Sequence, residues 1–183
     1  MTVLIGLEHD GVVWMGADSI ATDGYDRSVT LVPKIFHHPD GYLMGYAGSF
    51  RMGQILRYHL SCPGPIGLAD PFAWMVQRLT ESVRSCLKDF GFLGEGNADI
   101  NWRIMVGLKG QLFTIEPDFQ VARYACRFDT AGSGEQFARG AMLALSDQPP
   151  FERIRRSLEI AAELSVMVTP PYLIRSTSDT ADT

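Results

Sequence analysis

No apolar run in these 183 residues approaches the ~18 that a membrane-spanning helix needs, so the sequence offers no candidate for a helical span. Basic residues are in the minority. Sixteen Lys and Arg against 21 Asp and Glu give a formal net charge of −5, which provides no electrostatic reason to bind nucleic acid or an anionic membrane. Cysteine is scarce: Cys62, Cys86 and Cys126 are odd in number and lack CxxC or other metal-like spacing. They read as buried or half-buried thiols in a reducing compartment. His9, His37, His38 and His59 likewise form no ligand pattern. The amino end lacks a basic region followed by an apolar stretch, because Glu8, Asp10 and Gly11 arrive too early for a secretory signal. A cytoplasmic location is the expectation. Internal repeats, low-complexity segments and linkers are also missing, so residues 1–175 are expected to form one domain and the Ser, Thr, Asp and Ala tail at 176–183 to be disordered.

What is present is a regular succession of strands and helices. Residues 3–8 are β-rich, His9-Asp10-Gly11 carries a tight-turn signal, and Val12, Val13, Trp14 and Met15 are apolar without alternation. That second strand should be covered on both faces. A polar stretch at 19–30 reads as a loop or short extended segment, followed by a strand over 31–36, the turn Pro39-Asp40-Gly41 and a strand over 42–47. From Ser49 the period becomes helical until Pro63-Gly64-Pro65. A second helix starts at Asp70-Pro71 with an apolar face of Phe72, Val76, Leu79, Val83, Cys86, Leu87 and Phe90. A third hairpin turns at Lys109-Gly110, and one or two strands are expected within 119–128. Helices over 135–145, with Phe137, Ala141, Met142 and Leu145 on one face, and over 152–165 come next. Val166-Met167-Val168 reads as the last strand. Strands in two runs, each followed by a helix pair, predict an α+β fold with two antiparallel sheets face to face and helices outside, a four-layer αββα sandwich.

One constellation carries chemistry. Thr2 follows the initiator Met1, so removal of Met1 leaves a residue with both a hydroxyl and a free α-amine. A threonine hydroxyl is a weak nucleophile until a base takes its proton, and the amine can be that base. Asp18 ends a buried strand, Lys34 interrupts an apolar one, and Ala131-Gly132-Ser133-Gly134 opens a helix that Ser133 itself can cap.

Thr2, the segment from Gly11 to Asp18, Lys34, Ala47-Gly48 and Ala131-Gly132-Ser133-Gly134 together resemble the proteasome β-subunit and HslV peptidase family of N-terminal nucleophile (Ntn) hydrolases, over nearly the whole chain. The resemblance implies a threonine-type endopeptidase. In it Thr2 is the nucleophile, Lys34 and Asp18 form a charged pair beside it, Ser133 hydrogen-bonds near the amine, and Gly48 supplies an oxyanion-binding N–H. It further implies self-association into a ring or stacked rings, a partner unfoldase of the AAA+ class, and polypeptide substrates. No cofactor is implied. Glu163 stands where the HslV pattern has Asp, and Ala162, Ser165 and Val168 do not match the residues associated with a structural sodium site, so no metal is carried over. A catalytically silent ring subunit and a stand-alone amidohydrolase of the same fold remain as alternatives. Specificity residues are expected within 19–25 and 47–52.

Overall fold

The computed structural model describes residues 2–22, 26–63, 70–93 and 101–180. Met1 and residues 23–25, and with them the fate of Met1 and part of the expected specificity loop, lie outside the described residues. Most of the strands belong to two antiparallel sheets. One has the order β10-β1-β2-β11, built from β1 (Val3–His9), β2 (Val12–Asp18), β10 (Phe128–Gly132) and β11 (Tyr172–Ser176). The other runs β5-β6-β7-β8-β9, from β5 (Ile35–His38), β6 (Tyr42–Ala47), β7 (Arg103–Leu108), β8 (Gln111–Ile115) and β9 (Val121–Ala122). The polar stretch at 19–30 holds a small ribbon of β3 (Ile20–Thr22) and β4 (Arg27–Val29).

Strand alternation explains the layering. In β1, Val3, Ile5 and Leu7 point to one side, where they meet Ala138, Met142, Ile154, Leu158 and Ala161 of α4 (Glu135–Ala144) and α5 (Pro150–Leu164). Leu4 points the other way and packs with Val13, Met15 and Ala17 of β2 against Ile35, Leu43, Ala47, Met105 and Leu112 of the second sheet. In β6, Tyr42, Met44 and Tyr46 face α1 (Phe50–His59) and the helical stretch from α2 (Pro71–Trp74) to α3 (Thr80–Asp89). Three apolar clusters therefore correspond to helix on sheet, sheet on sheet and sheet on helix, the expected sandwich. The unbroken apolar reading of β2 has the same cause: both its faces are covered.

The two sheets approach closely because glycines face leucine, methionine and valine side chains across the gap. A Cβ on Gly6 would lie 2.7 Å from a Leu112 methyl, one on Gly45 2.9 Å from Leu4, and one on Gly107 2.9 Å from Val13.

Several expectations are corrected. A π-helical turn, Met75–Leu79, joins α2 to α3. Its wider turn rotates the apolar face, so Trp74 and Met75 are buried while Phe72 and Val76 are each 42% exposed. On α4 the face turns inward through Ala138, Ala141 and Met142 and leaves Phe137 outside. The strand expected at Leu31 begins only at Ile35. Val166-Met167-Val168 is not a strand. Val166 is 84% exposed on a turn after α5, and the last strand is β11, paired with β2 in the register Leu173↔Ala17. The tail expected to be disordered from Ser176 begins inside β11. Ser176 takes Asp179 as partner through both its N–H and its hydroxyl, and the Thr177 N–H donates to the Val13 carbonyl. Residues 181–183 lie outside the described residues. Cys62 and Cys86 are buried, but Cys126 is exposed, in the turn between β9 and β10.

Candidate active site

Thr2 stands immediately before β1 and is buried. β1 lies between β10 and β2, and register does the positioning. Val3 pairs with Gly132 on one side, and Leu4 pairs with Ala17 on the other, so Ser133 and Asp18 both arrive next to the chain's start. The Thr2 backbone nitrogen donates to Ser133 Oγ at 3.2 Å. Ser133 Oγ–H in turn donates to the Thr2 carbonyl at 3.3 Å, and the Gly134 N–H reaches that carbonyl at 3.4 Å. Ser133 thus serves Thr2 rather than the helix. α4 is capped by Gly134 with no side-chain cap, which sets aside the capping role its position allows. Gly132 is required here: its φ is +95°, and a Cβ would lie 2.1 Å from the Thr2 carbonyl oxygen.

Behind Thr2 lies a buried ion pair. Lys34 Nζ donates to Asp18 Oδ1 at 2.9 Å, and both side chains are at most 1% exposed. The same carboxylate oxygen accepts the Val3 N–H at 3.0 Å, which ties the pair to the residue after Thr2. Lys34 comes from the other sheet. It precedes β5, its carbonyl accepts the Tyr46 N–H, and its ammonium sits 5.6 Å from the centre of the Phe50 ring. Burial is the largest influence on the pair's protonation. It pushes the Asp18 carboxyl above its ordinary range and the Lys34 ammonium below its own, while mutual attraction opposes both shifts.

A cleft of about 590 Å³ opens at Thr2, and Ala47, Gly48, Gly132 and Ser133 share its lining. Gly48, with φ +106°, ends β6. A Cβ there would meet the Asn101 carbonyl oxygen at 2.7 Å, so only glycine fits the bend that brings this backbone to the cleft. The structure therefore gathers Thr2, Ser133 and Gly48 around one cavity, with Asp18 and Lys34 packed behind the amino end. Ala47 and Gly48 of the expected specificity segments line it; Ser19 to Ala21 and Ser49 to Met52 are not among the described lining.

Sequence reasoning missed the rest of the lining, formed by Asn101, Trp102, Arg103, Glu116, Pro117 and Glu135. Arg103 Nε donates to Glu116 Oε2 at 2.8 Å and Nη1 to Glu135 Oε2 at 2.6 Å. A charged residue at the head of the apolar strand Arg103–Leu108 was the available signal. Among the described residues no cluster of His, Cys, Asp and Glu is arranged to hold a metal ion, and no helix is long and apolar enough to cross a membrane.

Two face-to-face antiparallel sheets, helices outside both, and a buried Thr2 leading into the first strand match the Ntn-hydrolase fold of the proteasome type. Solved structures with this fold overlay nearly the whole chain. BPH from Thiobacillus denitrificans is 23% identical over 96% of this chain and 97% of its own, with a TM-score of 0.75. HslV from Trypanosoma brucei is 17% identical over 95% of this chain and 98% of its own, with a TM-score of 0.70. Anbu from Yersinia bercovieri is 15% identical over 95% and 80%, with a TM-score of 0.69. No family model and no curated protein matches the sequence. The likeness is one of fold.

Proposed function

We propose that the chain is the subunit of a self-compartmentalising threonine endopeptidase, active once Met1 has been removed. The observation that carries this reading is the buried Lys34–Asp18 pair, joined through the Val3 N–H to the residue that follows Thr2. A scaffold has no use for two desolvated charges beside a hydroxyl at the chain's start. The Thr2 hydroxyl attacks a peptide carbonyl while its own α-amine accepts the proton. An α-amine has an ordinary pKa of about 7.7 to 8.0, and a neighbouring ammonium lowers it, leaving neutral base at physiological pH. Lys34 supplies that ammonium, and Asp18 holds it charged and aimed. Ser133, within hydrogen-bond reach of the Thr2 nitrogen, relays the proton to the departing amine as the C–N bond breaks and the Thr2 ester forms. The Gly48 N–H stabilises the oxyanion. Water then cleaves the ester, releasing the carboxylate and restoring Thr2.

Polypeptide substrates, assembly into rings or stacked rings, an AAA+ unfoldase partner and a cytoplasmic setting belong to the same reading. The Anbu complex from Pseudomonas aeruginosa, of like fold at 18% identity with a TM-score of 0.65, is described as a helical assembly. A second structure of the Thiobacillus protein, 21% identical, is a complex with epoxomicin. Epoxomicin is accordingly the probe of choice. Intact mass should show loss of Met1 and a covalent adduct at Thr2, and Thr2→Ala should fold yet lose peptidase activity. Substantial turnover by Thr2→Ala refutes the assignment. An assembled but unlabelled protein is the silent subunit, and an active monomer is the stand-alone amidohydrolase.

A further inference from the structure

We infer that the Glu116–Arg103–Glu135 wall makes the cleft selective for peptides carrying a cationic side chain, of the lysine or arginine kind, beside the bond to be cut. This inference rests on the reading of Thr2 as nucleophile and deepens it. The wall's charges do not cancel. Two carboxylates face one guanidinium, and the described lining holds no other charged side chain, so this cluster carries an excess of one negative charge. Arg103 keeps only Nη2 for an acidic substrate. Its Nε and Nη1 are held by the two glutamates, and Nη1 also lies 3.5 Å from the Thr130 carbonyl.

The carboxylates, by contrast, retain accepting capacity in fixed places. Glu116 Oε2 takes Arg103, and its Oε1 accepts the Tyr124 hydroxyl at 3.3 Å, which leaves lone pairs on a restrained group. Glu135 is fixed as the first residue of α4, where the Thr130 hydroxyl donates to its carbonyl at 3.0 Å. Its Oε2 takes Arg103, and Oε1 is engaged by no described residue. A carboxylate already positioned by its neighbours gives up little freedom on meeting an incoming ammonium, so the contact goes into affinity rather than into ordering the site. Both glutamates remain partly open to water, with side chains 18% and 32% exposed, which keeps the expected preference moderate.

Binding is measured apart from turnover, with the full-length Thr2→Ala protein and fluorescent peptides that differ at one position, Lys, Leu or Glu. The Lys peptide should bind about tenfold tighter than the Leu peptide, with the Glu peptide weaker still. Raising the salt concentration should narrow the gap. Glu135→Gln should cut the Lys to Leu ratio several-fold, and Glu135→Lys should move the preference toward Glu. Glu116→Gln is a second reporter if circular dichroism shows either Glu135 variant to be misfolded. Cleavage by protein with intact Thr2 should follow the same order in kcat/KM. A Lys to Leu binding ratio near one, or a ratio that Glu135→Gln and Glu116→Gln leave unmoved, overturns the inference. Selective binding with no turnover defeats the nucleophile and leaves the wall standing; turnover without selectivity does the reverse.

Discussion

Removing one member of the Lys34–Asp18 pair should cost far more than removing both. Lys34→Met leaves the Asp18 carboxylate buried with backbone donors for company, and breaking such a pair on one side costs about 3 to 5 kcal/mol. For a domain of this size that is roughly 6 to 20 °C in Tm, at about 2 to 4 °C per kcal/mol. Asp18→Asn should be comparably damaging, because the Lys34 ammonium then lies buried with no counter-charge from Asp18. The double variant Asp18→Asn with Lys34→Met keeps an oxygen for the Val3 N–H and buries no charge, so it should return to within about 2 kcal/mol of the parent. The assay is urea unfolding followed by tryptophan fluorescence at one fixed protein concentration, since assembly would shift the apparent stability. A coupling energy below about 0.5 kcal/mol, the singles simply adding, would refute a desolvated pair. The double variant should also be folded and inactive, which separates the pair's part in chemistry from its part in stability.

Gly132→Ala should abolish activity with the sheets still formed, because the new methyl displaces the Thr2 carbonyl that Ser133 and Gly134 hold; epoxomicin adduct formation at Thr2 reads this directly. His38 is buried, stacked on Tyr42 with its Nε2 at the Leu60 carbonyl, and burial holds its pKa below the ordinary 6.5. The unfolded chain therefore takes up the proton first as pH falls. The stability His38 contributes is full above pH 6.5 and is lost toward its folded pKa, at up to about 1.4 kcal/mol per pH unit. His38→Gln should flatten that slope in unfolding curves collected between pH 7 and 5.

Hairpins and helix starts were legible because turn and cap chemistry is local. His9-Asp10-Gly11 turns β1 into β2, and Asp70 accepts the Phe72 and Ala73 N–H groups at the start of α2. β10 was not legible. Asp129 and Thr130 look like loop residues, yet both are buried. Asp129 is held by Arg139 and the Thr114 hydroxyl and Thr130 by the Glu135 carbonyl, while the strand they belong to pairs with β1 (Ile5↔Thr130, Gly6↔Asp129), a partner no local window contains. The last strand was misplaced for a related reason. Val166-Met167-Val168 has the β-branched composition of a strand, but Tyr172–Ser176 has the free edge of β2 to pair with. In the site, Thr2, Asp18, Lys34, Ser133 and Gly48 could be named from a pattern spread over the chain. The Arg103, Glu116 and Glu135 wall could not, because it exists only after β7, β8 and α4 converge.

Thr2 and Ser133 travel with one sheet, Gly48 and Lys34 with the other, and the spacing between the two is governed by the side-chain-free positions Gly6, Gly45 and Gly107. A methyl group added at Gly107, which meets the branch point of Val13 rather than the tip of a leucine or methionine, acts as a shim, spreading the halves and shifting Gly48 relative to Thr2 without touching either. Random mutagenesis screened for slow but well-folded variants should therefore return hits deep in the seam as well as in the cleft.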